Sequence, residues 1–201
     1  MKVDVPVRTT PEISNGQFVT VVEKWHIKST ALKANRYIYS KADPDAKKNK
    51  KLKLDTNNSY SGSTICFTGY GGEDYTKRSF VTRAGNLGCP DIILVFGGTN
   101  DSWANSPLGE LKFDNISRDE LFNYRQAVSY LAKYLYTRYP NTDIYFILND
   151  QLKSEIGDAM REACKHYGLT LIELKDISKT SGHPNIEGMK QIADQVGRAI
   201  K

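Results

Sequence analysis

Three short apolar runs limit what this chain can fold into: residues 91–96 (DIILVF), 143–148 (DIYFIL) and 169–174 (LTLIEL). Each has the length of a strand, and the continuous apolar character of the first is what a strand buried on both faces requires. Between them lie stretches of helical period. From Ser117 to about Arg138, the residues Leu121, Tyr124, Val128, Leu131 and Leu135 recur at helical spacing. A Ser117-x-x-Glu120 capping box opens that stretch and Pro140 ends it. Residues 151–167 read as another helix, stopped by Gly168 where a left-handed C-cap is wanted, and residues 185–200 as a closing one. Strands joined by helices of this length need right-handed crossovers. The predicted fold class is therefore α/β: three α/β/α layers around a doubly wound, mostly parallel sheet.

That alternation is clear only from residue 57 onward. Upstream the strand patterning is weak, so a regular first strand is not expected there. The charge divides at the same place. Residues 1–56 hold 12 of the 28 Lys/Arg but only 6 of the 23 Asp/Glu, and Lys47-Lys48-Asn49-Lys50-Lys51-Leu52-Lys53 is the densest part. The remainder is nearly neutral, so the net +5 belongs to one segment and reads as a solvated loop, not a nucleic-acid surface. The organisation expected is an atypical basic segment (residues 1–56) followed by one domain (57–201). No apolar run approaches the roughly 20 residues that span a bilayer. The opening MKVDVPVRTTPE lacks the apolar core of a secretory signal, so the default expectation is a cytoplasmic protein or one whose leader has been removed. Cys66, Cys89 and Cys164 have no paired or metal-like spacing and are expected to be buried free thiols. The three histidines are too far apart in sequence to suggest a metal cluster, and nothing calls for a cofactor.

In a parallel sheet, ligands bind outside the carboxyl ends of the strands, so the loops after the strands are where function is sought. After DIILVF comes Gly97-Gly98-Thr99-Asn100-Asp101. Asn100 there is either a turn residue that tolerates left-handed backbone or an amide donor placed to bind a developing oxyanion. After LTLIEL comes Ser181-Gly182-His183-Pro184-Asn185, with Asn185 as a candidate N-cap. His183 is either a solvated loop histidine or a general base at the same sheet edge.

These segments resemble a family. Gly98-x-Asn100-Asp101 after a buried strand and His183-Pro184-Asn185 before the last helix look like two sequence blocks of the SGNH/GDSL hydrolases. A third block, Asn57-Asn58-Ser59-Tyr60-Ser61-Gly62-Ser63-Thr64-Ile65, resembles the stretch that supplies that family's oxyanion glycine. Order and spacing agree along residues 52–201. The resemblance implies the flavodoxin-like SGNH fold and an ester hydrolase acting by serine–histidine acyl transfer to water. It casts Gly62 and Asn100 as oxyanion donors and His183 as the base.

The chain departs from that pattern twice. The family's histidine is oriented by an aspartate three residues earlier, where this chain has Thr180; the nearest upstream carboxylate is Asp176, which reads either as an orienting group or as a turn residue. The family's nucleophile stands in a Gly-Asp-Ser turn, and no Gly-Asp-Ser occurs in this sequence. The serines upstream of Asn57 are Ser14, Ser29 and Ser40, and none has the expected setting, so the nucleophile is unassigned. Ser61 and Ser63 read as loop-stabilising hydroxyls. Tyr70, Tyr75, Arg78 and Trp103 neighbour these blocks, and aromatic faces with polar neighbours suit a small, carbohydrate-linked ester. The alternative is a catalytically silent domain that binds a glycan or a protein partner. Oligomeric state is not readable from the sequence.

Overall fold

The computed structural model describes residues 17–21 and 52–200, with side chains from residue 55 onward. Five strands form one parallel sheet: β1 (Gln17–Val21), β2 (Leu52–Asn57), β3 (Ile92–Phe96), β4 (Asp143–Leu148) and β5 (Thr170–Glu173). Their order across the sheet is β2-β1-β3-β4-β5. Chain progression reverses between β1 and β3, which makes the gap at their carboxyl ends the topological switch point. A hairpin of two-residue strands, β6 (Lys179–Thr180) and β7 (His183–Pro184), stands apart from the sheet. The helices are α1 (Phe80–Arg83), α2 (Thr99–Ala104), α3 (Tyr124–Arg138), α4 (Ser154–Tyr167) and α5 (Ile186–Ala199). None of the described helices is long and apolar enough to cross a membrane.

Successive strand residues point to opposite faces, and both faces are covered. On one, Ile93, Val95, Ile144, Phe146 and Leu148 pack against α3 and α4, with Leu131, Leu135, Ile156 and Met160 among the partners. On the other, Ile92, Leu94, Phe96, Tyr145, Ile147 and Ile172 pack against α5 through Met189, Ile192 and Val196. Continuous apolar runs are the consequence, since neither face of β3 or β4 meets water. The three layers and the parallel sheet are those the sequence pattern predicts.

The structure departs from the sequence expectation in three places. Residues 17–21 form an interior strand of the sheet, between β2 and β3, with Val19 opposite both Leu54 and Ile92. The expected helix from Ser117 is broken. Asp119–Phe122 makes one 3-10 turn, Asn123 is extended (φ −100°, ψ 140°), and the helix proper starts at Tyr124. The break has a cause: the Tyr124 and Arg125 N–H groups donate to the Pro107 and Leu108 carbonyls, which pulls the chain out of helical register. Half of the capping box survives, with the Ser117 N–H donating to the Glu120 carboxylate at 2.7 Å. Finally, Cys66 and Cys164 are buried free thiols but Cys89, in the loop ahead of β3, is exposed. Burial pushes the Cys164 thiol up to about 12.

Candidate functional site

The loop after β3 reaches the switch point as α2 begins. Asn100 stands in the first turn of α2, and its amide is held from two sides. Nδ2 donates to the Ser63 carbonyl at 2.9 Å, and Oδ1 accepts the Tyr70 hydroxyl at 2.8 Å. An amide nitrogen has two hydrogens, so one N–H of Asn100 remains for a ligand.

Ser63 follows the turn at Ser61-Gly62, closed by the Ser63 N–H donating to the Tyr60 carbonyl. Gly62 has φ +71°, as the third position of such a turn demands, and there glycine is the residue without strain. The Ser63 hydroxyl is committed to the loop: it donates to the Arg78 carbonyl and accepts from the Arg83 guanidinium at 2.9 Å. It is a stabilising hydroxyl, as expected.

Asp101, next along α2, fixes this loop from below. Its side chain is fully buried, with Oδ1 and Oδ2 accepting the Ile65 N–H at 3.0 and 2.9 Å and Oδ1 also accepting the Cys66 N–H at 3.2 Å. Burial pushes the Asp101 carboxyl up to about 6, against the lowering effect of those N–H donors. Consecutive residues of α2 thus grip consecutive parts of the Gly62 loop: Asn100 the Ser63 carbonyl, Asp101 the two N–H groups beyond it.

His183 arrives from the other side. After β5, the chain is tied to α5 by Gln195, which accepts from the Lys175 N–H and donates to its carbonyl, and by Gln191, which accepts from the Ser178 N–H. Lys179 and Asp150 form an ion pair only 10% and 14% exposed, linking the hairpin to the loop after β4; Asp150 also accepts the Ile177 N–H at 2.9 Å. The hairpin then turns through Ser181 and Gly182, both with positive φ (50° and 77°), the pattern of a tight type I′ turn. A β-carbon on Gly182 would lie 3.2 Å from the Trp103 ring, so the turn sits directly on that indole. The His183 ring meets Trp103 edge to face, centroids 5.0 Å apart. Trp103 lies three residues after Asn100, on the same side of α2. One short helix therefore carries both the Asn100 amide and the ring against which His183 rests. Asn185 caps α5 as expected, accepting the Gly188 N–H at 2.9 Å.

The structure thus brings Gly62, Asn100 and His183 to one sheet edge and leaves Asp176 out. Asp176 is exposed in a left-handed turn (φ 54°) after β5 and has no hydrogen bond or ion pair among the described residues. The orienting role offered by its place in sequence is corrected. The intervening hairpin puts Thr180, not Asp176, directly opposite His183. Ser14, Ser29 and Ser40 lie outside the described residues, as does His26. His166 is in the last turn of α4, stacked on Phe113 with centroids 3.9 Å apart. Among the described residues no group of His, Cys, Asp and Glu is assembled to hold a metal ion.

Sequence reasoning missed Asp101 and the Lys179–Asp150 pair as anchors of the site. An aspartate in the first turn of a helix reads as a solvated dipole partner, and the pair is 29 residues apart in sequence.

Residues 45–200 match the profile of a family described as GDSL-like Lipase/Acylhydrolase. A protein of Bacteroides ovatus called a GDSL-like lipase shares 37% identity at a TM-score of 0.80, over 92% of this chain and 98% of that one. A second, from Bacteroides uniformis, shares 38% at 0.80, over 92% and 95%. The acetyl xylan esterase Est2A of the rumen bacterium Butyrivibrio proteoclasticus is similar in fold alone: 14% identity, TM-score 0.53, 96% of this chain and 64% of that one. No curated protein matches in sequence.

Proposed function

We propose that this chain, which belongs to the GDSL-like lipase/acylhydrolase family, hydrolyses small esters by transferring the acyl group through a serine to water. The observation that carries this reading is the convergence of Gly62, Asn100 and His183 at the switch point, joined through α2.

In the first half-reaction His183 takes the proton of the attacking hydroxyl as its oxygen bonds to the ester carbonyl carbon. The carbonyl oxygen becomes negative and is met by the Gly62 backbone N–H and the remaining Asn100 N–H. As the intermediate collapses, the bond to the leaving oxygen breaks and His183 returns the proton to the departing alcohol. Water repeats the sequence on the acyl-enzyme, and the acid leaves. The nucleophile is sought first after β1, whose carboxyl end at Val21 lies at the same crevice; Ser29 is the first serine beyond it. Two half-exposed aromatics, Tyr70 and Trp103, flank the candidate donors, which favours an alcohol with flat faces to pack on rings, such as a sugar. The fold likeness to an acetyl xylan esterase agrees with that preference.

One observation favours a second reading, a silent binding domain: the sequence has no Gly-Asp-Ser, and the family match starts at residue 45. Incubation with 4-nitrophenyl acetate beside His183→Ala separates the two. Turnover lost in the variant supports the hydrolase; equal background from both supports the binding domain. Labelling by a serine-directed fluorophosphonate, followed by peptide mapping, names the nucleophile, and folded protein that takes no label overturns the serine mechanism.

A further inference from the structure

We propose that Tyr70 is the positioning residue of the oxyanion side, its hydroxyl holding the Asn100 amide in place while its ring bounds the substrate cleft. This rests on the reading of Asn100 as an oxyanion donor.

A side-chain amide can turn end over end, and a donor that turns presents an oxygen to an oxyanion. Asn100 is prevented from doing so by two partners of opposite kind. The Ser63 carbonyl accepts from Nδ2, and the Tyr70 hydroxyl donates to Oδ1, which has no hydrogen to give. The turned amide would set its oxygen against the Ser63 carbonyl. Tyr70 completes the pair of contacts and fixes the plane in which the free N–H points.

The segment that presents Tyr70 is built for it. Thr68 and Asp74 are bridged, the Gly69 N–H donates to the Glu73 carbonyl at 2.8 Å, and the Glu73 N–H returns to the Tyr70 carbonyl at 3.2 Å. The base of this small loop presses on Tyr75 so closely that a β-carbon on Gly69 would come within 2.3 Å of its ring. Tyr75 is buried, with the Arg78 guanidinium 3.4 Å from its ring centroid. Thr68 is fastened in turn to the Phe122 carbonyl through its hydroxyl at 2.7 Å. A tyrosine needed only for packing would be sunk into this support. Tyr70 stands on top of it, 36% exposed, with its hydroxyl on Asn100.

Tyr70→Phe keeps the ring and removes the hydroxyl, whereas Tyr70→Ala removes both. Loss of one hydrogen bond corresponds to about a tenfold effect. On 4-nitrophenyl acetate, Tyr70→Phe is expected to lower kcat about tenfold with KM unchanged, and Tyr70→Ala to raise KM as well. In an Asn100→Ala background, Tyr70→Phe is expected to add nothing. If Asn100→Ala loses activity but Tyr70→Phe keeps full kcat, the inference is overturned and the hydrolase reading stands. If wild type and Asn100→Ala are alike, or neither turns over, the hydrolase reading fails, and Tyr70 is judged by NMR. The Asn100 side-chain 15N–1H signals, identified by their loss in Asn100→Ala, are expected to shift and to exchange with water faster in Tyr70→Phe. Unchanged signals overturn the positioning role.

Discussion

The two sides of the site are anchored differently. On the oxyanion side, the Gly62 loop is gripped at close range: Asn100 and Asp101 hold its carbonyl and N–H groups directly, and Asp101 is wholly buried. On the base side, His183 sits on a two-residue hairpin outside the sheet and is positioned by Trp103 and, more remotely, by Lys179 and Asp150. An oxyanion donor must wait in a fixed place for charge to appear, so close anchoring serves it. A base moves a proton between two oxygens, and here it is carried on a hairpin outside the sheet. The difference predicts that damage to the oxyanion anchors lowers stability and activity together, whereas damage to the base anchors lowers activity first.

The largest effects should come from the reacting groups. Asn100→Ala is expected to lower kcat by about two to three orders of magnitude, and His183→Ala by about two to four. His183→Ala should melt close to wild type, whereas Asn100→Ala, which takes the donor from the Ser63 carbonyl, should melt lower. Steady-state kinetics beside thermal melts checks this. A large fall in melting temperature for His183→Ala would mean that the hairpin braces the domain and that the two sides are not so different.

Asp101→Ala should come next, and in the currency of stability. It leaves the Ile65 and Cys66 N–H groups buried without an acceptor, at roughly 3 kcal/mol in total. The same carboxyl gives a pH signature. In the folded chain it holds its proton up to about pH 6, while in the unfolded chain an aspartate releases it near its ordinary value of 3.8. Between those values the native state binds more protons, so this group makes stability fall as pH rises from about 4 to about 6 and contributes no slope above. Urea unfolding of wild type and Asp101→Asn at pH 4, 5, 6 and 7 should show that fall only in wild type, at up to about 1.4 kcal/mol per pH unit. Parallel curves for the two proteins would remove Asp101 as the source.

Lys179→Ala breaks the base side's remote anchor. A buried pair that loses one partner loses about 3–5 kcal/mol, and the residual exposure here lowers that to roughly 2–3. Faster amide exchange should be confined to residues around 175–185, and kcat should fall before melting temperature does. Equal loss of protection throughout the sheet would show that the hairpin is not a separately held unit.

Much of this arrangement is legible in the sequence because it follows from strand edges. Once 91–96 and 169–174 read as buried strands, Asn100 and His183 must emerge at the same edge, and a helix must separate them. What escapes is what depends on distant partners. Residues 17–21 become an interior strand through pairing with Leu52 and Ile92 on either side, not through a pattern of their own. The helix expected from Ser117 breaks because the Pro107 and Leu108 carbonyls claim the Tyr124 and Arg125 N–H groups. Asp176 looked eligible by its distance along the chain, and the type I′ turn at Ser181-Gly182 passes it over.

That turn also sets the smallest effect. Thr180 and His183 are cross-strand partners in the hairpin, so their side chains lie on one face with β-carbons about 5 Å apart. Thr180→Asp therefore puts a carboxylate beside the imidazole, at the position where the resemblance expects one. Because Thr180 is exposed, water screens the gain, and kcat/KM should rise about threefold to tenfold, the worth of one added hydrogen bond. Thr180→Asn, with the same shape and no charge, should give less than half of that gain. A rise in Thr180→Asp that vanishes in 1 M salt (Debye length about 3 Å) identifies the carboxylate's charge as the cause. No rise at all would mean that Trp103 already holds the ring as well as a carboxylate could, and that the base side is as firmly set as the oxyanion side.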